Sequence, residues 1–219
     1  MLERFNINLI SPKDTLVIAV SGGIDSMVLL HHMIEIKEQY QLNLHIAHVD
    51  HQKRETSAKD AQFVKDIATH YQIPFHLHLL DKHISGNFHD SSHHQRYDFF
   101  VQVAQNVKAN KIVLAHHLDD QAETILMRLV RGSSFEGYRG IQSYVSYKKK
   151  SIIRPLLNVP RSCIIAYQKQ HNINYITDES NLENHYTRNR YRHQIIPLIA
   201  KENPNYLNKL MQFSSYQYD

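Results

Sequence analysis

The string Ser21-Gly22-Gly23-Ile24-Asp25-Ser26 combines residue types that suit a phosphate-binding turn. It follows the apolar run Leu16–Val20 and precedes a helical pattern, which predicts a strand, a turn and a helix start. Glycines let the backbone approach a ligand closely, and a helix N-terminus favours an anion. A capped tight turn would explain Gly23 and Asp25 but not all six residues. Because neither a Walker lysine nor a G-x-G-x-x-G pattern is present, kinase-like γ-phosphoryl transfer and NAD chemistry are not indicated.

A second polar string follows the apolar run Lys111–Ala115 and contains His116, His117, Asp119, Asp120 and Glu123. On a helix Asp119 and Glu123 are four residues apart and share a face, whereas Asp120 is turned about 100° away. We therefore expect Asp120 to enter a site alone, beside His116 as a phosphate contact or proton shuttle. The alternatives are an exposed position for Glu123 and a strand-end cap for the other two.

Short apolar runs alternate with longer helical patterns through the first 131 residues. The predicted strands are Leu16–Val20, Leu42–Val49, Phe75–Leu80 and Lys111–Ala115, and the predicted helices are Asp25–Tyr40, Ser57–Tyr71, Ser91–Asn110 and Leu118–Arg131. This alternation predicts an α/β fold, an open parallel sheet with helices on both faces and ligands at the carboxyl ends of the strands. After residue 131 the sequence predicts a small, mostly helical appendage. Its predicted elements are a hairpin over 141–154, a helix over 160–170 and a helix over 204–219.

The composition limits the classes of protein that this chain can belong to. It has 219 residues, 42% of them hydrophobic, which fits one globular domain with a small addition. No apolar run is long enough to span a membrane, and charges in the first 14 residues argue against a signal peptide. A lone cysteine, Cys163, cannot form an internal disulfide or supply the thiolates of an iron–sulfur cluster. We expect a cytoplasmic protein.

The charges are unevenly distributed. Residues 1–138 have a net charge of −3, whereas residues 139–193 have a net charge of +7. A basic segment of this kind attracts a polyanion, although a solvated basic face is the alternative. Arg188, Arg190 and Arg192 alternate with uncharged residues there and suit phosphates. The 17 histidines include the pairs His31-His32 and His93-His94, whose spacing does not predict a transition-metal site.

The glycine string resembles the PP-loop of the N-type ATP pyrophosphatases, which attach AMP to a substrate oxygen and release pyrophosphate. Within that superfamily, four further strings are similar to the tRNA(Ile)-lysidine synthetases in the same order. They are Ala47–His51 with Arg54, Gln95–Phe100, Ala115–Thr124 leading to Arg131-Gly132, and the closing strings 153–157, 178–181 and 188–192. The resemblance implies an adenine nucleotide alpha hydrolase-like, Rossmann-like catalytic domain over residues 1–200. Residues 201–219 would then begin a linker helix toward a C-terminal region.

This resemblance implies that lysine replaces the C2 oxygen of the wobble cytidine in the isoleucine tRNA with a CAU anticodon. ATP would become AMP and pyrophosphate, with Mg²⁺ held by Asp25. The implied nucleotide contacts are Ser21, Gly22, Gly23, Ile24, Asp25, Ser26, Ala47, His48, Val49, Ala115 and His116. The implied catalytic residues are Asp25, His116, Asp120, Arg188 and Arg190. The expected partners are that tRNA, free lysine and ATP, with no membrane, and a homodimer is left open.

Two other functions fit the same features. One is a tRNA-modifying adenylating enzyme with another nucleophile, which lysine dependence would distinguish. The other is a regulatory module that binds ATP or AMP without turnover, which pyrophosphate release would distinguish. Arg96, Arg131, Arg139 and Lys148–Lys150 are secondary candidates for contacts with nucleic acid, and solvated side chains are the alternative.

Overall fold

The computed structural model describes residues 2–50, 52, 57–80, 88–177 and 187–215, with the side chains of 88–92 and 215 left aside. Six strands form one sheet, and each of the first four lies within two residues of its prediction. They are β1 (Thr15–Ala19), β2 (Asn43–Asp50), β3 (Phe75–Leu79), β4 (Lys111–Val113), β5 (Tyr144–Tyr147) and β6 (Lys150–Ile153). The predicted contributions of His51, Arg54 and Asp178–Asn181 lie outside the described residues.

The strand order is β3-β2-β1-β4-β6-β5. All neighbouring pairs are parallel except β5 with β6, so the sheet is mostly parallel with one antiparallel edge strand. The sequence predicts the hairpin, but it does not predict that the hairpin extends the main sheet. The order reverses between β1 and β4, which makes their carboxyl ends the expected ligand crevice. Both polar strings follow these two strands.

Helices connect and flank the strands. They are α1 (Ile24–Ile36), α2 (Ser57–His70), α3 (Phe88–Asn106), α4 (Leu118–Arg131), α5 (Phe135–Tyr138), α6 (Arg161–Gln170), α7 (Thr187–Arg190), α8 (Ile196–Glu202) and α9 (Tyr206–Ser215), and a 3₁₀ turn covers Ile7–Leu9. A π-helical turn over Tyr191–Ile195 joins α7 to α8. Among the described residues, no helix is long and apolar enough to cross a membrane.

Side chains alternate across β1 and supply two separate cores, as expected for a sheet buried on both faces. Leu16 and Ile18 pack with α1, α2 and α6 on one face, whereas Val17 packs with α3 on the other. Helices therefore cover both faces, as predicted. This double layer fixes the ends of β1 and β4, from which the polar strings extend.

Candidate active site

The turn after β1 is stabilised by its own serines. Ser26 Oγ donates to the Gly23 carbonyl at 2.9 Å, accepts from the Ser21 N–H at 3.2 Å and lies 3.1 Å from Ser21 Oγ. The first helical bond of α1 runs from Met27 N to Gly23 O at 3.0 Å, so the N–H groups of residues 24–26 precede it. Such N–H groups have no acceptor within their own helix and form an anion site. In this structure the hydrogen bonds of Ser21 and Ser26 hold the turn that precedes these N–H groups.

Only one of the two glycines needs glycine's conformational freedom. Gly22 has φ of +89°, and a Cβ built there would lie 2.6 Å from Ile176 Cδ1. Gly23 has φ of −70°, and its nearest neighbour to such a Cβ is Ser21 Oγ at 3.5 Å. The Ile176 N–H also donates to the Gly22 carbonyl at 2.9 Å. The segment before residue 178 therefore packs directly on the turn.

Asp25 occupies the first turn of α1, where the helix has no side-chain cap, so the alternative role as a cap is not seen. Its Oδ1 is buried and has no hydrogen-bond partner among the described residues. Burial raises the pKa of Asp25, although His117 and Arg161 act in the opposite direction. A buried carboxylate oxygen without a partner beside a phosphate-binding turn fits a divalent cation such as Mg²⁺. Asp25 would hold that ion.

His117 joins the turn after β1 to the second polar string, a contact that was not predicted from the sequence. Its Nε2 lies 3.8 Å from Asp25 Oδ2 and 3.5 Å from Asp120 Oδ2, and its Nδ1 lies 3.7 Å from Asp119 Oδ2. Burial alone would lower the pKa of His117, but the three carboxylates outweigh burial and raise it. The three carboxylates therefore favour the protonated form of this ring, which links the turn to the acids of α4.

Asp120 does not enter the site alone, so that prediction is wrong. Asp120 Oδ1 accepts from Arg188 Nη2 at 2.9 Å and from Arg192 Nη2 at 3.2 Å. Glu123, only 1% exposed, accepts from Arg188 Nε at 2.6 Å and from Arg192 Nε at 2.5 Å. The two acids are three residues apart, a spacing that also brings side chains together on a helix. Asp119 instead accepts from the Arg161 N–H at 2.8 Å.

The three closing arginines divide into two groups. Arg188 and Arg192 share the acid pair, whereas Arg190 is exposed and donates to Thr187 Oγ1 at 3.1 Å. Arg192 lies in the π-helical turn, a rare element that is frequent at functional sites. In this structure Arg192 therefore stands where the sequence suggested Arg190.

His116 contacts a further arginine, Arg154. Its Nδ1 accepts from Arg154 Nε at 3.2 Å, so the proton of the neutral ring is on Nε2. Burial lowers the pKa of His116 to about 3, with Arg154 and Arg188 acting in the same direction against Asp120. The buried Arg154 also donates to the Gln142 carbonyl at 2.7 Å. A neutral imidazole here can donate a hydrogen bond, but it is a poor base at neutral pH.

The end of β2 that was predicted to contact the nucleotide is buried. Ala47, His48 and Val49 lie in β2, and Ala47 O accepts from Val20 N at 3.0 Å. His48 Nδ1 lies 2.7 Å from the Val20 carbonyl, and burial lowers the pKa of this ring. The neutral His48 therefore links the ends of β1 and β2. Ala115 lies just beyond β4, beside His116.

Arg161 was not predicted from the sequence to be near the site, and Arg96 was predicted only as a contact for nucleic acid. Arg161 begins α6 and has a buried Nε without a hydrogen-bond partner among the described residues. Arg96, a secondary candidate for contacts with nucleic acid, also has a buried Nε without a hydrogen-bond partner among the described residues. A proline before a short helix does not predict an arginine near an active site. The position of Arg161 follows only from the fold, which brings the start of α6 to Asp119.

A family model described as the PP-loop domain matches residues 2–199. The chain belongs to the PP-loop family. The turn after β1 carries the string that resembles the PP-loop, and the family uses ATP.

Within this family, the chain is similar in sequence to several lysidine synthases. The chain is 40% identical over 207 residues to the tRNA(Ile)-lysidine synthase of Enterococcus faecalis, covering 94% of this chain and 45% of that protein. It is 37% identical to the tRNA(Ile)-lysidine synthase of Thermotoga maritima, covering 90% and 48%, and 41% identical to the bifunctional protein TilS/HprT of Listeria monocytogenes, covering 94% and 33%. The PP-loop chain thus spans half the length of these relatives or less.

A solved structure supports the fold. The U34-tRNA thiolase NcsA of Methanococcus maripaludis, with its [4Fe-4S] cluster, superposes with a TM-score of 0.79 at 18% identity, covering 98% of this chain and 74% of that one. At that identity the likeness concerns the fold alone. The lone Cys163 of this PP-loop chain could supply only one of the thiolates that such a cluster needs.

Proposed function

We propose that this chain carries the catalytic chemistry of a tRNA(Ile)-lysidine synthase. It would join lysine to C2 of the wobble cytidine in the CAU-anticodon isoleucine tRNA, in the cytoplasm, and convert ATP to AMP and pyrophosphate. The lysidine synthases among its relatives, near 40% identity, support the substrate assignment.

The observation that carries the proposal is the position of His117. This one ring lies within 4 Å of Asp25 on the PP-loop side and of Asp120 on the acid-pair side. A nucleotide bound at the loop and a cation bound at the acid pair would therefore lie on either side of the His117 ring. Activation by ATP and attack by an amine need this proximity, because the activated intermediate must be captured before water reaches it.

In the first step the C2 oxygen of cytidine attacks the α-phosphorus of ATP. The bond from that phosphorus to the bridging oxygen breaks, and pyrophosphate leaves. The N–H groups at the start of α1 would hold the phosphates, and the Nε2–H of His116 would donate a hydrogen bond to a phosphate oxygen. Bound at Asp25, Mg²⁺ would supply charge neutralisation for the polyphosphate.

In the second step Asp120 takes a proton from the lysine ε-ammonium, the neutral ε-nitrogen attacks C2, and AMP leaves with the original oxygen. Asp120 and Glu123 are proposed to receive the lysine ε-ammonium at the places now taken by two guanidinium groups. Both kinds of group are cations that suit carboxylates, and the phosphates of ATP would attract the displaced arginines. This exchange gives Arg188 and Arg192 a part in both steps.

The basic segment 139–193 is proposed to hold the anticodon arm, with Arg190 among its phosphate contacts. Arg190 is exposed and lies two residues from both Arg188 and Arg192, which bind the acid pair, so backbone phosphates bound by Arg190 would lie near the reaction site. An anticodon loop presents unstacked bases, which makes the C2 edge of the cytosine accessible.

The test is formation of AMP and pyrophosphate from ATP and Mg²⁺, with and without lysine and a transcript of the CAU isoleucine tRNA. Elongator methionine tRNA is the matched control, because it has the same anticodon. The proposal expects turnover that requires both lysine and the isoleucine transcript, with lysine in the product nucleoside. Turnover without lysine would favour another adenylating tRNA-modifying enzyme. ATP binding without pyrophosphate release would favour the regulatory module.

A further inference from the structure

A cluster of titratable side chains lies away from the PP-loop, between α1 and α6. His31 and Glu35 face each other one turn apart on α1, and His171 follows the end of α6. One ligand atom from each of the three lies within 4.8 Å of the other two. His171 Nδ1 is already 3.7 Å from Glu35 Oε1. Two imidazoles and a carboxylate are thus gathered across two helices.

Tyr167 orients this cluster from α6. Its hydroxyl donates to Glu35 Oε2 through a short hydrogen bond, and His31 Nδ1 lies 3.1 Å from the same hydroxyl oxygen. Because the phenol proton points to Glu35, His31 must donate through Nδ1, which leaves its lone pair on Nε2. A histidine that donates through one nitrogen and offers the other is the usual arrangement of a metal ligand.

The charges of these groups suit a cation. Burial raises the pKa of Glu35, but the Tyr167 hydrogen bond and the histidines outweigh it and lower the pKa. Burial lowers the pKa of His31, against Glu35. Carboxylates and neutral imidazoles are the groups that bind metal ions, and this cluster contains both kinds of side chain. His32, 1% exposed, adds a ring nitrogen 3.5 Å from Glu35 Oε2, and neither of its nitrogens has a hydrogen-bond partner among the described residues.

We propose that His31, Glu35 and His171 form a binding site for a transition-metal dication, with Zn²⁺ as the ligand of choice. Two histidines and one glutamate are a known zinc ligand set, and imidazole selects Zn²⁺ over Mg²⁺. Ligand atoms around tetrahedral zinc are about 3.3 Å apart for bonds near 2.0 Å. The ligand atoms of this cluster lie within 4.8 Å of one another, so each pair must approach by about 1.5 Å at most. Glu35 is 39% exposed, which gives the ion a path from solvent and room for a water ligand.

A metal here would tie α6 to the helix that follows the PP-loop. The same α1 that carries His31 and Glu35 begins directly after Gly23, and α6 begins at Arg161, whose N–H binds Asp119. The site therefore bridges the two helices that position the active-site turn, at their ends remote from it. Its expected effect is stabilisation of the fold, since a ligand bound only by the native state raises stability.

The test uses the untagged chain, stripped with a chelator and titrated with Zn²⁺ in the presence of excess Mg²⁺. Binding of one zinc ion per chain and a rise in the unfolding midpoint are expected. Glu35→Gln and His171→Asn should each weaken zinc binding by more than about tenfold, and Tyr167→Phe by about 10–100-fold. Circular dichroism checks the fold of each variant. Glu35→Gln, at a partly exposed position, carries the test if His171→Asn does not fold.

Two controls separate this site from other ligands in the chain. His76→Asn removes one ring of the His45–His76 pair, whose nitrogens are 3.3 Å apart, and should leave zinc affinity unchanged. Asp25→Asn tests the candidate magnesium position and should also retain zinc. The proposal is overturned if Glu35→Gln and His171→Asn bind zinc as the parent does, or if His76→Asn abolishes the binding.

Discussion

Replacing Glu123 with glutamine tests whether the buried acid pair anchors the helix that carries the arginines. Glu123 accepts from both Arg188 and Arg192 at 2.5–3.1 Å, and it is 1% exposed. Glutamine keeps the shape but removes the charge and turns one acceptor oxygen into a donor. At least one guanidinium then faces an amide N–H group in place of a carboxylate oxygen.

The loss of stability in Glu123→Gln depends on how well water can solvate the two arginines that lose a carboxylate partner. Removing one partner of a buried ion pair costs about 3–5 kcal/mol. Here Arg188 is 40% and Arg192 22% exposed, and both retain Asp120, so we expect a loss of about 2–3 kcal/mol in the free energy of unfolding. For a chain of this length that corresponds to a fall in Tm of roughly 5–10 °C.

Urea unfolding of the two proteins measures this loss as a shift in midpoint at constant slope. The matched control is Asp98→Asn, which breaks an ion pair with Lys148 whose two side chains are 51% and 53% exposed. An exposed pair contributes about 0–1 kcal/mol, so this variant should unfold close to the parent. If Glu123→Gln loses no more stability than Asp98→Asn, the acid pair does not anchor the helix and the reasoning fails.

The remaining predictions concern the loop, the link, the acid and the tRNA surface. Gly22→Ala should lose about 1–2 kcal/mol of unfolding free energy, because of its positive φ, whereas Gly23→Ala should lose less than half of that; equal losses in urea would refute the conformational argument. His117 has a raised pKa in the fold, so its stabilisation is complete below about pH 6.5 and fades as pH rises through the raised value; His117→Gln should flatten this decline in urea midpoints between pH 6 and 9, and an unchanged decline would contradict it. Asp120→Asn should bind ATP nearly normally but lose lysine transfer to tRNA, and retained transfer would remove its proposed role. Arg190→Ala should weaken tRNA binding and reduce the salt slope by about 1, whereas an unchanged slope would exclude a phosphate contact.

The features predictable from the sequence are those that depend on neighbours along the chain. Period-two and helical patterns give the strands and helices of the α/β layers because burial on a sheet or helix face repeats locally. The two-residue hairpin turn at Lys148 and Lys149 is found from the surrounding strands, although both residues adopt φ near +50° to +65°, a conformation that favours asparagine or glycine. The sheet partner of that hairpin is not predictable in this way.

The contacts within the site depend on residues far apart in the chain. Arg192 and Glu123 are separated by 69 positions, so helical spacing cannot predict which of three arginines reaches the acid. The same limit applies to the histidines. The pair His31-His32 has no metal-site spacing with nearby residues except Glu35, and its third candidate partner, His171, is supplied only by the packing of α6 on α1.

The arginine contacts also determine when Asp120 can accept a proton. Burial by itself would raise the pKa of Asp120, but His117 and Arg188 outweigh burial and lower it, which makes this carboxylate a poor base in the present arrangement. Any polyanion that attracts Arg188 and Arg192 takes both guanidinium groups away from Asp120, so the lowering of its pKa by Arg188 is lost while an acidic site opens for an ammonium group. Under the proposed function, ATP should therefore bind before lysine, since the nucleotide phosphates create both the vacancy and the base that the amine requires.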